Sequence, residues 1–153
     1  MKFSTRADVK APIDYVFEQI TNITTLERSI MHFGGNVERI AGDDEVIFKT
    51  RWRVKFVLNG IRRSVMVKII EVEKPNNLTF EVTSKNIDAT LLIELVALSH
   101  SCTRLNVTAM AKAKTIAVKL LFQSICFAGQ KNQMRFKAIV LNFATDLEIR
   151  HRG

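Results

Sequence analysis

An α+β fold, with a strongly bent antiparallel seven-stranded sheet wrapped around a long C-terminal helix in the order β-α-α-β6-α, follows from two features of the sequence. Residues 115–150 hold no proline and carry Val118, Leu121, Phe122, Ile125, Phe136, Ile139, Val140, Phe143 and Leu147 on one side of a 3.6-residue wheel. Such a stripe must lie on something, and at 1.5 Å per residue the helix that bears it runs about 50 Å. Between Asn36 and Ala113 the apolar residues recur with period two, and no second long helix intervenes. Strands in that order, followed by one long amphipathic helix, pack as a sheet that cradles the helix.

The chain of 153 residues reads as one domain, 1–153, large enough to bury a core, with 47% hydrophobic and 25% charged residues and only two prolines. No apolar run approaches the roughly 18 residues of a membrane span, and the opening residues lack an apolar stretch of signal-peptide length. Cys102 and Cys126 have no metal partner at ligand spacing and read as free thiols of a reducing cytoplasm. His32, His100 and His151 are scattered over a turn, a loop and the C-terminal end, so no metal site is expected, and no cofactor motif is present.

Phe3, Thr5, Ala7 and Val9 alternate with polar residues as a first strand. Pro12 suits the first turn of a short helix whose apolar side is Tyr15, Val16, Phe17 and Ile20. Thr24 and Glu27 have capping-box spacing for a second helix that ends at Gly34-Gly35. Asn36–Ile40 is a short strand turned by Gly42-Asp43-Asp44. A long strand then places Val46, Phe48, Thr50, Trp52, Val54 and Phe56 on one face. Asn59-Gly60 is a hairpin signal of type I′. If it closes a two-residue loop, Arg51 faces Lys68 and Phe56 faces Arg63. Further strands span 61–72, 78–83, 87–98 and 103–113.

This order, with Val9-Lys10-Ala11-Pro12-Ile13-Asp14-Tyr15-Val16-Phe17 at the first strand-to-helix joint, resembles the helix-grip fold of the START-like or SRPBCC superfamily. That superfamily includes pollen-allergen-like proteins, polyketide cyclases and lipid-transfer domains. Within it, the Asn59-Gly60 hairpin, the stretch Ile70 to Phe80 and Thr103-Arg104-Leu105 are similar to the G-type subunits of carbon monoxide dehydrogenase. Ser29-Ile30-Met31-His32-Phe33-Gly34 stands where that group has proline-glycine. The resemblance implies a cavity between sheet and C-terminal helix that takes a hydrophobic small molecule such as a lipid, quinone or polyketide-like compound.

Strand parity and the helix wheel assign that cavity Trp52, Phe80 and Leu91 from the sheet with Phe136 and Phe143 from the helix; the same residues would equally fill a core. Two polar residues join them. Arg63 is placed to anchor a carboxylate or phosphate, or to stack on Phe56 and reach water, and Asn132 to bond a ligand carbonyl, or to cap backbone. His32 at the cavity mouth is an acid–base candidate without a carboxylate at a telling distance. There is no catalytic motif, so binding or transport is expected before a cyclase- or dehydratase-like enzyme.

The net charge of +8 is concentrated: residues 49–68 contain seven basic residues and no acid. Lys49, Arg51, Arg53, Lys55 and Lys68 form a basic strand face, read either as a solvated surface or as a contact with an anionic membrane or an acidic protein. Glu71 and Glu94 are expected to balance part of it. No nucleic-acid motif accompanies the charge. Ile116, Leu120 and Phe127 fall off the main helical stripe and suggest a homodimer contact, docking as an accessory subunit on a larger enzyme, a membrane contact, or equally cover by the two short helices.

Overall fold

The computed structural model covers residues 1–153 and describes all of them except 33, 43–46, 59 and 128; the side chains of 58 and 124–130 also lie outside the description. The elements are β1 (Lys2–Val9), α1 (Ile13–Ile20), α2 (Ile23–His32), β2 (Asn36–Ala41), β3 (Arg51–Leu58), β4 (Ile61–Glu73), β5 (Asn77–Thr83), β6 (Ile87–Ser99), β7 (Cys102–Ala113), α3 (Ile116–Phe127) and α4 (Gly129–Arg152). The seven strands form one antiparallel sheet in the order β1-β7-β6-β5-β4-β3-β2. The expected closing helix is carried by α3 and α4. The expected Asp43, Asp44 and Val46 positions, Asn59 of the hairpin turn and the side chains of Ile125, Cys126 and Phe127 lie outside the described residues.

Three irregularities give the sheet its bend. Register shifts fall between Arg39 and Ala41, between Ile69 and Glu71, and between Ala97 and Ser99. An extra residue on one strand increases the local twist and turns the sheet away from a flat plane.

The hairpin register is the one its two-residue turn dictates: Arg51 pairs with Lys68 and Phe56 with Arg63. Gly60 holds φ +75°, a conformation that glycine adopts without a Cβ penalty. The ribbon also projects beyond its neighbours. β2 begins at Asn36 opposite Lys55, and β5 ends at Thr83 opposite Met66, so 56–58 and 61–65 extend past both.

Two expectations fail. The strand assigned from Val46 begins only at Arg51, because Phe48 and Lys49 form a turn in which Lys49 has φ +66° and the Thr50 amide donates to the Ile47 carbonyl at 3.0 Å. Phe48 is therefore 46% exposed, not on the inner face. The α2 cap is not Thr24 with Glu27: Asn22 Oδ1 accepts from the Thr25 amide at 2.9 Å, and Glu27 is engaged elsewhere.

The core is built from the inward positions of the sheet, the buried sides of α1 and α4, and Ile23 at the start of α2. α4 lies against β1. Val140, Ala144 and Leu147 are buried there, and the small side chain of Ala144 allows a close approach. The Lys10 amide donates to Glu148 at 2.8 Å, and Gln133 donates to the Ser4 carbonyl at 2.8 Å, fastening both ends of the helix to β1 or its continuation.

Candidate functional site

The projecting β3–β4 ribbon and the end of α2 enclose the largest described pocket, about 1030 Å³ and open to solvent. Its floor is apolar, from Ile30 on α2 and Val54 and Phe56 on β3, with Val57 at its edge. Gly34 and Gly35 form one wall. A side chain at Gly35 would meet the Ile30 Cγ2 at 2.9 Å and the Val54 Cγ1 at 3.2 Å, so glycine lets α2 close down on β3. Lys55, Arg62 and Arg63 supply three cations. No carboxylate and no histidine is among the described lining residues.

Arg63 stands opposite Phe56 and is half-buried. Its Nε is shielded from water and has no hydrogen-bond partner among the described residues. A donor held out of water without an acceptor costs about 1–3 kcal/mol, so it marks a place where the protein leaves an interaction unmade.

A polar constellation that sequence reasoning missed positions α2 over this pocket. Glu27 accepts from Arg39 Nε at 2.7 Å and from Trp52 Nε1 at 2.9 Å. One carboxylate thus ties α2 to β2 and to β3. Burial pushes the Glu27 carboxyl up, but the hydrogen bonds from Arg39 and Trp52 and the arginine charge outweigh it and hold the group below the usual range. Its spacing from Thr24 suggested a local cap, and only the fold brings Trp52 within reach.

The other expected ligand residues are dispersed. Trp52 is fully buried and Phe80 7% exposed; their rings lie 6.5 Å apart within the core. Leu91 on β6 is half-buried against the same cluster. Phe136 packs on Phe3 with ring centroids 6.0 Å apart, and Asn132 is half-buried early in α4. Phe143 lines a second, smaller groove of about 370 Å³ between α2 and α4, with His32, Arg28, Asp146 and Arg150. Of the seven residues, Arg63 is the one that reaches the large pocket. That pocket opens beneath the ribbon, while Val140, Ala144 and Leu147 bring the later part of α4 into the core.

The basic face is also partitioned. Arg51, Arg53 and Lys55 share the outward face of β3 with Lys68 beside Arg51, whereas Lys49 sits in the turn with its ammonium 5.7 Å from the Phe48 ring centroid. Glu38 on β2 pairs with Arg53 at 3.4 Å, and Glu81 on β5 stands opposite Lys68. Those acids, not Glu71 and Glu94, flank the band: Glu71 faces Thr79, and Glu94 faces Asn77 and Asn106. Among the described residues no cluster of His, Cys, Asp and Glu could hold a metal ion, and no helix is long and apolar enough to cross a membrane.

No family model matches the sequence, and no curated protein matches it. Solved structures do match. A protein from Thermus thermophilus, 12% identical, aligns with a TM-score of 0.73 over 100% of both chains. A conserved protein from Geobacillus kaustophilus is 17% identical with a TM-score of 0.66, covering 96% of this chain and 95% of that one. Norcoclaurine synthase from Thalictrum flavum, solved with dopamine and hydroxybenzaldehyde, is 13% identical with a TM-score of 0.68, covering 100% of this chain and 88% of that one. At such identities the likeness is one of fold: this chain has the helix-grip fold of START-like proteins.

Proposed function

We propose that this chain binds a hydrophobic small molecule, as a carrier or sensor, in the pocket beneath the β3–β4 ribbon. The observation that carries this reading is the pocket itself: about 1030 Å³ with an apolar floor of Ile30, Val54 and Phe56 and a polar edge of Asn36, Lys55, Arg62, Arg63 and Ser64. Small-molecule sites have this character, an apolar surface with sparse polar contacts in a volume of about 300–1,000 Å³. Norcoclaurine synthase holds dopamine and hydroxybenzaldehyde on the same fold, so the architecture tolerates a ligand of that kind. A cyclase- or dehydratase-like reaction is disfavoured by the described lining, which offers no histidine or carboxylate to move a proton. The test is to purify the protein natively, unfold it in organic solvent and analyse the released compounds by mass spectrometry. A stoichiometric apolar or amphiphilic compound is expected. An empty result repeated after incubation with lipid extract would refute binding.

A second reading concerns the same end of the sheet. Val57 and Ile61 on the ribbon are 65% and 54% exposed, and Ile116 and Leu120 on α3 are 78% and 59% exposed. The strand pairings put the ribbon tip and the end of β7, from which α3 departs, at one end of the sheet. Exposed apolar groups with Lys55, Arg62 and Lys119 around them suit an anionic membrane surface. Vesicle sedimentation tests this: binding is expected with anionic lipid and not with neutral lipid alone, and equal binding to both would refute the role of the charges.

A further inference from the structure

The pocket combines two features that a purely apolar ligand does not explain. Its floor is apolar, yet its described rim is cationic, with Lys55, Arg62 and Arg63 and no acid to neutralise them. Nearby acids are committed elsewhere: Glu38 pairs with Arg53, and Glu27 pairs with Arg39 and Trp52. Of the three cations, Arg63 alone shares the inward face with Phe56, and its Nε–H is shielded from water without an acceptor among the described residues. A guanidinium offers parallel N–H donors that match a carboxylate or phosphate, and the pair is strong where water is scarce.

We propose that the ligand is a single-chain amphiphile ending in an anion, its chain on Ile30, Val54 and Phe56 and its carboxylate or phosphate head on Arg63. This rests on the ligand-binding reading above and narrows it to a class. The head supplies the acceptor that Arg63 Nε lacks, and Lys55 and Arg62 hold the mouth at positive potential. The chain covers Phe56, where the ribbon has left the shelter of β2.

The experiment compares dodecanoate, dodecyl phosphate, dodecanol and dodecylammonium, each below its micelle concentration, by calorimetry on wild-type and Arg63→Gln protein. Dodecanoate or dodecyl phosphate is expected to bind wild type about 10- to 100-fold tighter than dodecanol, as one charge-assisted pair implies. Arg63→Gln should remove most of that difference and weaken dodecanol far less than the anions. The tighter of the two anions identifies the head group. Should Arg63→Gln fail to fold, wild type alone decides, because dodecylammonium should bind more weakly than dodecanol at a cationic mouth. If all four bind wild type alike, the anionic head is refuted while hydrophobic binding stands. If none binds, both readings fall.

Discussion

Replacing Glu27 with alanine removes a carboxylate that holds α2 to two strands. Trp52 is fully buried, and its indole N–H donates to Glu27 Oε1 at 2.9 Å. Without that acceptor the donor stays out of water, at a cost of about 1–3 kcal/mol. The Arg39 contact at 2.7 Å joins side chains that are 30% and 21% exposed, so solvent screening limits it to about 0.5–1 kcal/mol. The sum is about 1.5–4 kcal/mol, a substantial part of the 5–15 kcal/mol by which most domains are stable. Urea unfolding followed by the fluorescence of Trp52, the single tryptophan, reads this directly. At an m-value of about 2 kcal/mol/M the midpoint should fall by about 0.8–2 M. Glu27→Gln keeps an oxygen for the indole and should lose about half as much. Because the folded carboxyl lies below its usual value, its charge-linked stability is complete above the ordinary glutamate range and is lost as pH falls through the folded pKa. The gap between wild type and Glu27→Gln should therefore hold at neutral pH and narrow in acid. A Glu27→Ala midpoint within about 0.2 M of wild type would refute the reasoning, since it would mean that Trp52 finds another acceptor at no cost.

Other substitutions probe the fold away from the pocket. Gly42→Ala should destabilise by about 2–3 kcal/mol, because φ is +110° and the new Cβ would sit 2.9 Å from the Thr50 Cα; an unchanged thermal midpoint would contradict that geometry. Leu147→Ala, at a fully buried position on α4, should cost about 3 kcal/mol in denaturant unfolding, and a loss below about 1 kcal/mol would mean the helix is not packed there. Thr103→Val should cost about 1–2 kcal/mol by removing the 2.8 Å bond from its hydroxyl to the Ala11 carbonyl at the β1–α1 joint, measured the same way; a neutral result would show that carbonyl satisfied by water.

What the sequence discloses and what it withholds divide by the range of the interaction. Asn59-Gly60 is a local signal, and through it the whole β3–β4 register was legible, down to Arg63 opposite Phe56. The turn at Phe48-Lys49 was not, because period-two alternation runs through it and nothing in a lysine announces φ +66°. Glu27 misled for a related reason: its spacing from Thr24 imitates a capping box, but its partners Arg39 and Trp52 come from strands that only the fold brings beside α2. The pocket shows the same division more sharply. Parity put Arg63 on the inward face opposite Phe56, and the later part of α4, through Phe143, lines the smaller groove. Ala144 is a small residue in an otherwise bulky stripe, and its burial lets α4 close on the sheet near β1. The largest described pocket lies where β3 and β4 outrun β2 and β5. That overhang is set by strand lengths relative to one another, a property of the pairing and not of any single strand. The cations that crowd it looked in the sequence like one continuous band. In the sheet, Glu38 and Glu81 stand opposite Arg53 and Lys68, and what stays unbalanced is the end of the band that lines the pocket.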